Sequence, residues 1–268
     1  MPRPRPVLPM TIEEFHHMPH RLGWKHEYWD GAAQLSTQET AVASFQRPIA
    51  SLTTPIALAA DETLRLIHPD DEPALIELFV TAFDDAVEYA GWPDDIYRSD
   101  AHDSIGTFFG KPSRHRYDHA DPARPDASFA IVTPTGLLAA VLVRSIRRGP
   151  ILQPIIVHPT QQRRGLATAL LSAVVNALHA AGDAWLFSRC QLGNAASLAW
   201  HGKNGFQEIP NYFAATHRWR HFAWLAEHFE HAQQPDKAGE MRQLADHWNA
   251  VVKKIEESDE RWSIGFLD

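Results

Sequence analysis

Apolar spacing changes several times along this chain, and each change marks an element. Thr11 and Glu14 stand as a capping box before a short helix predicted over residues 11–17, which Pro19 ends. Residues 25–29 and 32–35 flank Asp30-Gly31, a pair suited to a tight hairpin turn because both central residues take positive φ. A third strand is predicted over 42–49. Residues 51–60, with their threonines, proline and alanines, read as a linker.

From residue 63 the pattern becomes strand, then helix. LRLIHP is extended, and Leu75, Leu78, Phe79, Ala82, Phe83 and Ala86 follow helical spacing. The polar segment 92–127 carries several prolines and is predicted as loops with short helical pieces at best. SFAIVT and LLAAVLVRSI, separated by Pro134-Thr135-Gly136, predict an antiparallel hairpin, followed by a strand over 151–157. Leu166, Leu170, Leu171, Val174, Val175 and Leu178 mark a long amphipathic helix that Gly182 stops. A buried strand is predicted over 185–191, a short helix over 194–203 and one or two strands over 206–218. Two further amphipathic helices follow. One carries Phe222, Leu225 and Phe229, the other Met241, Leu244, Ala245, Trp248, Val252 and Ile255, with a break at Pro235-Asp236.

Composition narrows the partners. The chain has 268 residues, 44% hydrophobic and 22% charged, enough for one large domain with appendages. A net charge of −8 and a pI near 6.0 leave no broad basic field, so nucleic acid is not an expected partner. No apolar run reaches the roughly 20 residues of a membrane-spanning helix, so no membrane segment is expected. The basic start MPRPRPVLPM is broken by prolines and lacks the apolar run of a secretory signal; a cytoplasmic protein with a disordered tail over 1–10 is expected. The single cysteine, Cys190, forms no internal disulfide, agrees with a reducing compartment, and reads as core rather than nucleophile.

The segment PIIVHPTQQRRGLATALL carries the chemistry. It joins the end of a strand to the start of a long helix, where unpaired N–H groups and the helix dipole favour phosphate oxygens. Gly165 lets the backbone approach a ligand, Ala167 keeps the helix start small, and Arg163 and Arg164 can pair with phosphate charge. A diphosphate fits there.

This segment resembles the GNAT superfamily of acetyl-CoA-dependent N-acetyltransferases, whose Arg/Gln-x-x-Gly-x-Gly/Ala signature falls on Gln162, Gly165 and Ala167. In that family a later strand leads to an Asn, then a small residue three on, a Tyr seven on and Gly-Phe eleven and twelve on. Asn194, Ser197, Gly205 and Phe206 occupy those places, with His201 where the Tyr usually stands. The resemblance implies an α/β fold over 61–218, a mixed central sheet flanked by helices. Residues 11–60 would then be an accessory helix and hairpin, and 219–268 a C-terminal helical hairpin.

It also implies acetyl-CoA as co-substrate and no metal. Backbone groups of Ile155, Ile156 and Val157 would bond the pantetheine between splayed strands, with Pro154 marking a bulge or broken pairing. Gln162, Arg163, Arg164, Gly165, Leu166, Ala167 and Thr168 would hold the pyrophosphate, and Asn194 would contact the thioester end. His201 would protonate the departing thiolate, a task within reach of imidazole at neutral pH. Gln153 and Arg189 stand where members often carry the base, and neither is one. The base is unassigned. Asp84, Asp85 and Glu88 would shape the acceptor pocket and attract a cationic amine.

The acceptor, a small-molecule or peptide amine, is open. A CoA-binding module without catalysis is the alternative, favoured by the missing carboxylates. His115 and His119, with Asp118 and Asp121, have metal-like spacing but no third ligand is indicated; they read as a solvated loop. His217, His221, His228 and His231 read as helix faces. Arg147 and Arg148 read as surface charge that could also reach the cofactor's phosphates. The string EEFHHMPHRLGWKHEYWDGAAQLS is similar to the opening helix and hairpin of Uma2-like proteins of the restriction-endonuclease fold. A nuclease of that kind needs a Glu-x-Lys on following strands to hold metal and activate water, and SFAIVT and LLAAVLVRSI have none. The terminal extensions are therefore read as packing elements, on the domain or in a homodimer.

Overall fold

Asp30 and Gly31 take φ of 51° and 75°, the pair of left-handed residues that a tight turn needs, and the predicted hairpin forms around them. The computed structural model describes residues 7–18, 20–38, 40–50, 57–84, 86–90, 92–113 and 121–258. Strands β1 (Val7–Pro9), β2 (Trp24–Trp29) and β3 (Ala32–Thr37) make a small antiparallel sheet in the order β1-β3-β2. Helix α1 (Ile12–His17) opens on the expected capping box: Glu14 N–H donates to Thr11 Oγ1 at 3.1 Å and Thr11 N–H to Glu14 Oε2 at 2.7 Å.

The main sheet has seven strands in the order β10-β4-β9-β8-β7-β6-β5. These are β4 (Val42–Pro48), β5 (Thr63–Leu66), β6 (Phe129–Thr133), β7 (Gly136–Ile146), β8 (Gly149–Val157), β9 (Trp185–Gln191) and β10 (Gln207–Ile209). Between them run α2 (Glu72–Ala82), α3 (Asp94–Phe108), α4 (Leu166–Ala180) and α5 (Ala195–Lys203); α6 (Tyr212–His231) and α7 (Pro235–Glu257) follow. Alternation along β7 fixes the layers. Ala139, Val141 and Val143 pack with Leu170, Leu171, Val174 and Leu178 of α4. Ala140 and Leu142 point the other way, onto Leu75 and Phe79 of α2 and Tyr97 and Ile105 of α3.

Four expectations need correction. Residues 7–9, placed by the sequence in a disordered tail, form β1 and pair with β3. The polar segment 92–127 contains a fifteen-residue helix, α3, rather than short pieces. Its buried stripe is Tyr97, Ala101, Ile105 and Phe108, which is helical spacing diluted by the Asp, Ser and His of the open face.

The boundary near residue 60 does not divide the sheet: β4 lies inside it, antiparallel to β9 from Val42↔Gln191 to Pro48↔Trp185 and to β10 on its other edge. Residues 206–218 supply only the three residues of β10 and the start of α6, and β4 lies between β10 and β9. Asn211 then opens α6 as its N-cap. Its side chain accepts from Ala214 N–H at 2.8 Å, capping α6, and donates to Val42 O at 3.0 Å, which ties that helix start to β4.

The two terminal extensions pack on each other and on the main sheet. Arg218 of α6 pairs with Glu208 of β10 and lies 4.5 Å from the Trp248 ring of α7. His26 stacks on His20 at 4.4 Å, His20 on Trp224 at 4.3 Å, and Trp224 on His228 at 5.0 Å, joining the N-terminal sheet to α6. Burial, helped by neighbouring histidines, pushes His26 and His221 down to about 4 and lowers His20. Among the described residues, no helix is long and apolar enough to cross a membrane.

His26 and His221 stay neutral in the folded chain until pH falls to about 4 and titrate near 6.5 once exposed. The stabilisation they represent is therefore complete above that value and lost as pH falls toward 4. Urea midpoints are expected to hold steady from pH about 8 to 6.5 and then drop, with a shallower drop in a variant carrying His26→Gln and His221→Gln. A second expectation concerns β4. Deleting residues 1–50 strips β9 and β10 of their shared neighbour, so thermal unfolding loses its cooperative transition. A cooperative, CoA-binding truncation would restore the boundary near residue 60.

Candidate active site

Pro154 has no N–H to give a ladder, and the pairing breaks around it. Val141 faces Ile155 and Val143 faces Leu152, so Gln153 and Pro154 together oppose the single residue Leu142. This is a bulge, and it bends β8. On its other edge β8 runs parallel to β9 for two rungs, Ile151↔Phe187 and Leu152↔Ser188. Beyond Leu152 the strands part. His158 N–H donates to Leu138 O at 2.8 Å, so the antiparallel alternation turns Ile156 toward β7 and directs the N–H and C=O of Ile155 and Val157 into the gap. Of the backbone groups expected to bond a pantetheine, those of Ile156 are thus taken by β7.

The gap leads to the loop before α4. Arg163 and Gly165 take φ of 62° and 85°, and Gly165 is the N-cap. Leu166 is buried in the core on the α4 side and fixes the helix start. Among the described residues, the N–H groups from Arg163 to Ala167 donate to no backbone carbonyl, whereas Thr168 N–H bonds back to Gly165 O at 3.0 Å. The free donors converge on a helix N-terminus, the arrangement that holds phosphate oxygens. Gln162 and Arg163 are exposed beside it. Arg164 is turned to other partners and does not line the cavity: its guanidinium pairs with Glu62 at 2.7 Å and also bonds Gln161. Arg147 and Arg148 lie at the β7–β8 turn, the end of β8 opposite the loop.

At the other end of the gap, Asn194 caps α5, accepting from Ser197 N–H at 2.9 Å and donating through Nδ2 to Glu88 Oε1 at 2.9 Å. His201 is 1% exposed and lies against Phe45, ring centroids 4.4 Å apart. Its Nδ1 is 2.7 Å from Ser197 O and its Nε2 is 2.8 Å from Ser188 Oγ. A carbonyl only accepts, so the proton is on Nδ1 and Nε2 accepts from the serine. Burial lowers the His201 pKa. The residue is neither a surface histidine nor an imidazolium at neutral pH, and its N–H is committed to a backbone carbonyl.

One cavity of about 890 Å³ connects these parts, from Gln162–Thr168 past Ile155 to Asn194, Ser197 and His201. The acetyltransferase (GNAT) domain model matches residues 63–207. The chain belongs to the GNAT acetyltransferase family. It is also similar to the ribosomal-protein-S18-alanine N-acetyltransferase of Escherichia coli, at 22% identity and a TM-score of 0.39, over 55% of this chain and 77% of that one. A second similar structure is the PaiA N-acetyltransferase of Thermoplasma acidophilum in complex with coenzyme A, at 14% identity and a TM-score of 0.42, over 55% and 89% of the two chains. A third is a GNAT family acetyltransferase of Brucella melitensis in complex with acetyl-CoA, at 15% identity and a TM-score of 0.33, over 46% and 71%. Among curated proteins, none matches this chain significantly.

The far wall of this GNAT cavity comes largely from α3 and the segment after it: Asp100, Asp103, Ser104 and Thr107, with Asp121 and Arg144. Tyr89 donates to Asp100 at 2.7 Å and Ser113 to Asp103 at 2.8 Å. Sequence reading missed this wall because it missed the helix; the signal was the polar stripe Asp100, Asp103, Ser104 and Thr107, complementary to the buried one. Of the expected acidic residues, Glu88 lines the cavity and Asp84 does not; Asp85 lies outside the described residues, as do His115, Asp118 and His119. Among the described residues, no group of three or more His, Cys, Asp or Glu is placed to hold a metal. Cys190 is buried and its thiol is pushed up to about 12, chiefly by burial, so it is no nucleophile.

A side chain at position 165 strains the left-handed φ and crowds the donors. Gly165→Val is therefore expected to weaken CoA binding at least about tenfold, the strain alone being of order 1–3 kcal/mol. Calorimetry on the folded variant checks this, and unchanged affinity contradicts the phosphate cradle.

Proposed function

We propose that this GNAT protein moves the acetyl group of acetyl-CoA directly to an amine. The observation that supports the reading is the continuity of one cavity, which joins a ring of unpaired N–H groups to parted strands and then to a carboxylate-bearing wall. The pyrophosphate would lie on the loop of residues 162–168 and the pantetheine along Ile155 and Val157, with the thioester near Asn194 at the branch point. Holding thioester and amine together replaces a bimolecular encounter with an oriented one. Backbone N–H groups facing the gap would meet the oxyanion that develops on the carbonyl. No covalent enzyme intermediate is needed.

In this reading His201 is a positioning residue. Its ring holds the Ser188 hydroxyl at the last rung before the strands part, and Phe45 holds the ring. The expected role as an imidazolium acid has no support in this geometry. A working imidazolium acid makes activity fall as pH rises through its pKa; a neutral, buried ring does not. With any amine that is turned over, kcat is expected to stay level or rise between pH about 6.5 and 8. A fall over that range returns the acid role to His201. Release of CoA thiol from acetyl-CoA in the presence of primary amines is the primary test, and CoA binding without turnover of any amine leaves a CoA-binding module instead.

A further inference from the structure

The cavity contains a buried carboxylate oxygen that none of the described residues satisfies. Glu88 sits on a short 3-10 turn, Val87–Tyr89. That turn is clamped against the loop after β9: a Cβ on Gly193 would come within 2.8 Å of Val87 Cγ2 and 3.0 Å of Trp24 Nε1, so the glycine lets the turn, the loop and the N-terminal sheet meet. Asn194 then holds one oxygen of Glu88, Nδ2 to Oε1, at 2.9 Å. The other oxygen, Oε2, is buried and has no hydrogen-bond partner among the described residues. A buried, half-satisfied carboxylate is costly, and its natural complement is a donor brought by a ligand. The neighbouring carboxylates are differently placed, since Asp100 receives Tyr89 and Asp103 receives Ser113.

We propose that Glu88 binds the acceptor as its ammonium form through Oε2 and takes the proton that frees the nitrogen for attack. This rests on the acetyl-transfer reading above. The balance is complete without another reagent. An acceptor R–NH₃⁺ gives one proton to the Glu88 carboxylate. The nitrogen lone pair forms the C–N bond to the thioester carbonyl carbon, and the C–S bond breaks as its electron pair leaves on sulfur. A second proton passes from the now cationic nitrogen to the thiolate, giving the amide and CoA thiol. Glu88 then releases its proton to water. The leaving group is protonated by the substrate nitrogen, which agrees with a His201 ring that has no N–H to spare. Glu88 also supplies the base that Gln153 and Arg189 do not.

The test uses the full-length protein with acetyl-CoA and a panel of propylamine, spermidine and a lysine-containing peptide, comparing wild type with Glu88→Gln and Glu88→Asp. Glutamine keeps a carbonyl oxygen for Asn194 but cannot take the proton. Glu88→Gln should lower kcat about a hundredfold to ten-thousandfold at pH 7, leave CoA affinity within about twofold by calorimetry, and regain rate as rising pH supplies free amine. Glu88→Asp should keep part of the activity. Glu88→Gln turning over the same amine within about threefold of wild type at pH 7 overturns the assignment while leaving acetyl transfer intact. If no amine in the panel is turned over by wild type that binds CoA, the acetyl-transfer reading fails, and the role of Glu88 with it.

Discussion

The two-rung parallel contact between β8 and β9, followed by their divergence, is the constraint on which the rest of this molecule depends. Each strand stays anchored on its far side, β8 on β7 and β9 on β4. Neither can close the gap without losing a ladder. The bulge at Gln153-Pro154, where Pro154 has no N–H to give the β7 ladder, bends β8 away from β9. The consequence is a slot with backbone groups on its wall, a helix N-terminus at one end and the Asn194–Glu88 pair at the other. Polar backbone left unpaired in this way is expensive unless a ligand or water meets it, which is why such a slot belongs to a binding site.

This constraint explains the N-terminal extension. Strand β4 is the partner that holds β9 in place, and Phe45 on that strand seats the His201 ring. Trp24, from the small sheet, closes on Gly193 next to the residues that orient Glu88. Val42 of β4 lines the cavity, so the extension contributes to the wall of the candidate site and supports it from behind. On the opposite side it meets α6 through stacked His and Trp rings, so the chain's two ends brace one another.

Much of this was legible in the sequence, for identifiable reasons. The α4 helix and the strands around it have strong periodicity, and Gly165 with its flanking residues announces a backbone that must turn left-handed beside a ligand. The hairpin at Asp30-Gly31 and the capping box at Thr11 are local, and local rules found them. What escaped was non-local. Nothing in residues 42–48 says that the strand inserts between two strands from the other end of the chain. Helix α3 was obscured because its exposed face is used for the cavity and carries aspartates that mimic a loop. His201 was found by its spacing from Asn194, yet its role depends on Ser188 and on a backbone carbonyl, partners that only the fold brings to its ring nitrogens. The charge of Glu88 is plain in the sequence; its half-satisfied carboxylate is a property of packing.

In the proposed function, the slot between β8 and β9 is where acetyl-CoA lies. A crystal structure of the full chain with CoA bound tests this most directly. The expected result has the diphosphate on the N–H groups of residues 163–167, the pantetheine amides bonded to Ile155 and Val157, and the sulfur within reach of Asn194 and Glu88. CoA bound with its diphosphate elsewhere, or with β8 and β9 closed against each other, would contradict it.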